Sequence, residues 1–259
     1  MYLVFSDADG TILDHDTYSY QTALPGMLIL RERNIPLILV SSKTLAEMRN
    51  LHKELALSYP FVFENGGGIF WSHGREGIEY SGMNSLQLKE HVVLLQEVLH
   101  EKVRFITDMT VAELVKASGL SRERARLSQQ RTSSLPFIFQ TERKIGIDEL
   151  ESINDALIPY GFAVTKGGRF FHFSSNNADK GSAVKKIIDY YRMQSSDDIK
   201  TIGIGDSEND MPMFRAVDIP VIVKKPDGAA IKTGLPNIVA TRGIGPSGFT
   251  EAITSILTG

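Results

Sequence analysis

The chain has 259 residues, 42% of them hydrophobic, with 28 Lys and Arg against 31 Asp and Glu for a formal net charge of −3. That length suits one large domain or two ordinary ones, and the near-balanced charge gives no electrostatic case for a nucleic-acid or anionic-membrane partner. The absence of cysteine excludes disulfides, thiol catalysis and cysteine-ligated zinc. With no basic leader and no apolar run near the ~18 residues of a membrane helix, a cytoplasmic protein is expected.

In chain order, "YLVFS" (2–6) reads as a buried strand and residues 20–34 as a helix with Pro25 in its first turn. "IPLILVSS" (35–42) is a second strand, 44–57 a helix and "PFVFEN" (60–65) a third strand. Continuous apolar runs separated by helices mark parallel strands covered on both faces. The rhythm returns late, with a helix from Asp179 to about Met193, the strand "KTIGIGD", a helix over 208–216, the strands "IPVIV" and "NIVAT", and a closing helix over 248–257. The expected class is therefore α/β, a doubly wound parallel (Rossmann-like) sheet built from both ends of the sequence.

The middle differs. "LQLKEHVVLLQEVLHEK" (86–102) predicts one long helix, followed by the strand "VRFITD" and two short helices. The first short helix opens on the capping-box pattern Thr110-Val-Ala-Glu113 and the second at Ser121. "LPFIFQ", a helix over 148–158, and the strands "FAVTKGG" and "RFFHFS", turning at 166–168, complete an α+β insert. The expected domains are a core of residues 1–83 and 176–259 and an inserted cap of 84–175.

Ligands of an open α/β sheet sit outside the carboxyl ends of its strands. The first strand ends there in Asp7-Ala-Asp9, the second in Ser41-Ser42-Lys43, the third in Glu64-Asn65-Gly66, and "TIGIG" in Asp206-Ser-Glu-Asn209-Asp210; Lys180 opens the helix that returns to the core. Two carboxylates on one side of an extended segment, about 4 Å apart, repel by roughly 4 kcal/mol at an effective dielectric near 20. A cation between them, a retained proton or a bend in the chain would relieve this. Each group singly has an ordinary explanation as a turn or helix cap. Together they suit a phosphate ester. Asp7 can attack phosphorus, Mg²⁺ held by Asp7, Asp206 and Asp210 can screen the meeting anions, and Asp9 can serve as acid and base. Ser41 and Lys180 can hold the phosphoryl oxygens.

Asp7-x-Asp9-Gly10-Thr11, Ser41, Lys180 and "GDSEND" resemble the four motifs of the haloacid-dehalogenase-like phosphotransferases, in the Cof-like branch whose cap follows the second motif. The resemblance implies Asp7 as nucleophile and Asp9 as general acid/base, with Mg²⁺ bound by Asp7, the Asp9 carbonyl and Asp206, and with Asn209 and Asp210 nearby. Aspartate at position 9 points to a phosphatase or mutase. "SSKT", "ENGGG", "DMTVAEL", "LPFIF", "GGRFFHF", "NDMPMF", "VKKPDG" and "GPSGFTEAI" further resemble the mannosyl-3-phosphoglycerate phosphatases, which release compatible solutes such as mannosylglycerate. One stretch departs: "RTSSLPF" (131–137) stands where that family usually carries acidic residues, as in "REYSEPF".

The expected substrate is thus a small phosphorylated sugar or glycerate. Ser42, Lys43, Asn65, Gly66, Arg169 and His172 are the candidate substrate contacts, Arg169 by its bidentate reach. His172, among Phe170, Phe171 and Phe173, also reads as a packed sheet residue; His15 and His52 are expected at the surface. The alternatives are a phosphatase of sucrose phosphate or a hexose phosphate, a phosphomutase, and a phosphate-ligand sensor without turnover.

Overall fold

The computed structural model describes residues 1–72, 77–141, 143, 145–167 and 170–258. The chain begins with β1 (Tyr2–Ser6), α1 (Leu24–Glu32), β2 (Leu37–Val40), α2 (Leu45–Glu54), β3 (Phe61–Phe63), β4 (Gly68–Trp71) and β5 (Gly77–Tyr80). It continues through α3 (Ser85–Lys89), α4 (Val92–Leu99), β6 (Val103–Phe105), α5 (Val111–Ser118), α6 (Arg122–Ser128), β7 (Leu135–Phe139), α7 (Ile147–Leu157), β8 (Phe162–Lys166) and β9 (Phe171–Ser175). It ends with α8 (Lys180–Gln194), β10 (Lys200–Gly205), α9 (Met211–Phe214), β11 (Ile219–Lys224), β12 (Val239–Ile244) and α10 (Pro246–Thr258).

Eight strands form a sheet in the order β12-β11-β10-β1-β2-β3-β4-β5, parallel from β12 to β3. Successive side chains point to opposite faces. Val4, Leu39, Phe61, Ile202 and Val221 pack with Met27, Met48 and Phe249 of α1, α2 and α10. Leu3, Phe5, Ile38, Val40 and Val62 pack with Val184, Ile187 and Phe214 of α8 and α9. Both faces are buried, so these strands read as unbroken apolar runs. The doubly wound α/β class expected from the sequence is what forms. After β1 the chain builds towards β3, and after β10 towards β12. The reversal of strand order therefore lies between β1 and β10, where Asp7 and Asp206 emerge.

A second, antiparallel sheet runs β6-β7-β9-β8. One face buries Leu135, Phe137, Phe162, Val164 and Phe173 against Leu88, Leu95, Ile153 and Leu157 of α3, α4 and α7. By alternation, His172 and Thr165, paired in register, face the other way. Thr110 and Ser121 are side-chain N-caps of α5 and α6, as the sequence predicts.

Three expectations need correction. The glycine-rich segment after β3 turns back to form β4 and β5, both antiparallel to their predecessors, so the sheet is mixed at one edge. The helix expected over 86–102 is two helices. The amides of Glu90 and His91 bond three residues back, to Gln87 and Leu88, and the His91 ring turns onto Phe162 at 4.6 Å. His52 is half-buried, its ring tilted on Phe61 at 5.1 Å and its Nε2 2.7 Å from the Tyr59 carbonyl. No helix among the described residues is long and apolar enough to cross a membrane.

Candidate active site

Asp7 leaves the end of β1 with its amide still bonded to the Ile204 carbonyl of β10 at 2.9 Å, which holds it beside Asp206. Lys180 opens α8, whose N-cap Asp179 accepts the Gly181 and Ser182 amides. Its side chain is fully buried, and Nζ donates to Asp7 Oδ1 at 2.7 Å and to Asp210 Oδ1 at 2.6 Å. Carboxylate oxygens of Asp7, Asp206 and Asp210 lie within 4.8 Å of one another. Asp210 has little left to offer, because its Oδ2 accepts from the Asp206 and Ser207 amides, at 3.1 and 3.0 Å. It orders the loop, while Asp206 and the second oxygen of Asp7 remain available.

Three carboxylates around one ammonium leave an excess of negative charge in a dry place. Burial pushes the Asp7 carboxyl well above the ordinary range; Lys180 opposes this, and Asp210 and Asp206 add to it. Burial and Asp210 push Asp206 up to about 6. Burial works against the charge of Lys180, but Asp210 and Asp7 outweigh it and raise its pKa. Buried oxygen donors with uncompensated charge fit a hard divalent cation. Gly10, at φ +76°, keeps that space clear: a Cβ there would lie 2.8 Å from Asp206 Oδ2.

The predicted crowding of Asp7 and Asp9 is relieved by a bend. Asp9 lies in a turn bridged to Leu13, and its Oδ2 meets Lys43 Nζ at 2.8 Å. Burial disfavours the Lys43 charge, yet Asp9 and Glu47 raise its pKa. Ser41 is buried, its Oγ accepting from the Lys43 amide at 3.3 Å. The Ser42 carbonyl accepts from Arg131 Nη1 at 2.7 Å. Asn209 Nδ2 donates to Asn65 Oδ1 at 3.3 Å, and Asn209 Oδ1 accepts from Ser207 Oγ. Gly66, at φ +98°, lies against the backbone of Asp179, whose carbonyl oxygen would be 2.1 Å from a Cβ.

From the second sheet, His172 is 6% exposed with no partner for Nδ1. Burial, helped by Arg131 and Lys180, lowers its pKa to about 3, so the ring is neutral. β8 lies against residues 208–210, which sets this sheet over the acidic loop. Arg169 lies outside the described residues. Glu64, named at the end of the third strand, and Thr132 and Ser134 have no role assigned from the sequence, yet they join the two sheets through hydrogen bonds. The glycine run and the departure at 131–137 were the signals for them.

A model of the haloacid dehalogenase-like hydrolases matches residues 4–233. A glucosyl-3-phosphoglycerate/mannosyl-3-phosphoglycerate phosphatase of Persephonella marina is 33% identical, over 98% of this chain and 97% of the relative. One of the same description from Methanococcoides burtonii is 35% identical, over 99% of this chain and 97% of the relative. The chain belongs to the haloacid dehalogenase-like hydrolases. It is a phosphatase of that family, and the resemblance read from its motifs is borne out. The fold agrees: a crystal structure of a Thermoplasma acidophilum protein superposes with a TM-score of 0.70 at 18% identity, covering 100% of this chain and 99% of that one.

Proposed function

We propose that the protein is a Mg²⁺-dependent phosphatase that hydrolyses a glycosylated 3-phosphoglycerate and releases a compatible solute such as mannosylglycerate, acting in the cytoplasm. The observation that carries the chemistry is Lys180, buried between Asp7 and Asp210 with Asp206 alongside. The substrate class is supported by relatives whose similarity spans nearly the whole chain, insert included.

Asp7 and Asp206 would hold the magnesium with the Asp9 carbonyl, and the ion would supply positive charge for the phosphoryl oxygens. Asp7 attacks phosphorus, forming an acyl-phosphate bond as the ester P–O bond breaks, and Asp9 gives its proton to the departing alkoxide. Asp9 then takes a proton from water as the water oxygen displaces Asp7 and frees phosphate. Lys180 and Ser41 steady the phosphoryl oxygens, Lys180 without leaving its carboxylate partners. Lys43, paired with Asp9, is placed to exchange that partner for a substrate anion, beside Ser42, Asn65 and Gly66. Residues 84–175 act as the cap that selects the leaving group through His172 and its neighbours and excludes water on closing.

Phosphate release with Mg²⁺ should be measured on mannosyl- and glucosyl-3-phosphoglycerate, sucrose phosphate and hexose phosphates. The highest kcat/KM is expected for a glycosylated phosphoglycerate. Preference for an ester without the glycerate carboxylate would reject that substrate class, and a phosphorylated isomer in place of free phosphate would make the protein a mutase.

A further inference from the structure

The turn after β3 and the segment before β7 meet at a junction whose carboxylate, Glu64, the chemistry above does not use. Glu64 is 1% exposed, yet among the described residues no lysine or arginine pairs with it. Four donors hold its charge. Oε1 accepts from Thr132 N at 2.8 Å and Thr132 Oγ1 at 2.9 Å, and Oε2 from Ser133 N at 3.1 Å and Ser134 Oγ at 2.6 Å. Both oxygens are thereby saturated by three consecutive residues of the insert. The clasp extends through Arg131 Nη1 to the Ser42 carbonyl at 2.7 Å and Thr44 Oγ1 to the Leu127 carbonyl at 3.0 Å.

On the core side the turn is held as firmly. Glu64 and Asn65 take positive φ values of 49° and 56°, a conformation that side-chain-bearing residues seldom adopt. The Glu64 amide bonds to the Lys43 carbonyl at 2.8 Å and the Asn65 amide to the Ser41 carbonyl at 2.9 Å. Gly67 permits the contact, since a Cβ there would lie 2.2 Å from Ser133 Oγ. Two polar atoms of this junction are buried without a partner: Asn65 Nδ2, one residue from Glu64, and Ser133 Oγ, on the residue whose amide Glu64 binds. Such atoms are costly to leave unpaired and are satisfied when a ligand oxygen reaches them.

We propose that Glu64 is a positioning residue whose bonds to 132–134 place the Ser133 hydroxyl and the Asn65 side-chain Nδ2 as contacts for oxygen atoms of the leaving group. This rests on the phosphatase reading and adds Ser133 to its substrate contacts. The departure at 131–137 then has a physical sense: the segment supplies hydroxyl and amide donors, and the carboxylate that organises them comes from the core turn.

The test compares wild type, Glu64→Gln and Ser133→Ala on mannosyl-3-phosphoglycerate and on p-nitrophenyl phosphate, whose leaving group has no hydroxyl or carboxylate. The ratio of kcat/KM for the glycosylated ester to that for the aryl ester should fall about tenfold or more in both variants, mainly through KM. Ser134→Ala, which removes one bond of the clasp and keeps the rest, should show a smaller fall and serves where Glu64→Gln does not fold. An active wild type with the ratio unchanged in Ser133→Ala and in the clasp variant overturns this inference alone. A wild type inert to both esters overturns the phosphatase reading, and this inference with it.

Discussion

Replacing Lys180 with Met keeps the length of a fully buried side chain and removes its charge. Asp7 and Asp210 then face each other, with Asp206 beside them and no counter-ion. Deleting one partner of a buried ion pair costs about 3–5 kcal/mol. For a chain of this size that is a fall in Tm of roughly 6–20 °C, at ~2–4 °C per kcal/mol. The assay is calorimetry in a metal chelator at pH 7.5 and pH 5.5. The Lys180 ammonium is present throughout that window, since its pKa lies above the ordinary lysine value. The pH dependence of the deficit therefore comes from the carboxylates. Asp7 and Asp206 are raised in the folded state, and loss of the lysine raises them further. The folded variant then binds more protons than the unfolded chain, so its stability falls as pH rises. The deficit should be larger at pH 7.5 than at 5.5 and should shrink on adding Mg²⁺. A variant melting within about 2 °C of wild type at pH 7.5 without metal would refute the view that Lys180 neutralises this cluster.

Asp7→Asn should fold like wild type and release no phosphate from any ester, a result that residual turnover in a malachite-green assay would contradict. His172 is held neutral at about 3; because the unfolded ring protonates near 6.5, stability should be intact above that pH and decline below it, by about 2 kcal/mol at pH 5. His172→Gln should flatten this acid limb in urea titrations, and parallel pH profiles would disprove the assignment. Gly67→Ala should destabilise by about 1–3 kcal/mol through overpacking against Ser133, and Ser133→Gly in the same chain should restore part of the loss. Additive effects in that double-mutant cycle would show the contact to be unimportant.

The six parallel strands of the main sheet, its double winding, and the alignment of Asp7, Ser41, Asp206 and Lys180 at one edge were readable in the sequence. Buried parallel strands must be apolar on both faces, and local caps such as Thr110 and Ser121 act within four residues of themselves. The break at Glu90–His91 was not readable: the apolar pattern runs through it, and the contact of the His91 ring with Phe162 exists only in the folded chain. Nor was the hairpin of β4 and β5, whose leading glycines serve equally for a loose turn and for close packing. Tertiary structure alone decided that Asp9 pairs with Lys43, that Asp210 divides its oxygens between Lys180 and its own loop, and that Glu64 is bonded to 132–134. A carboxylate's role is set by the donors that surround it in space, and those donors lie up to 173 residues away in the chain.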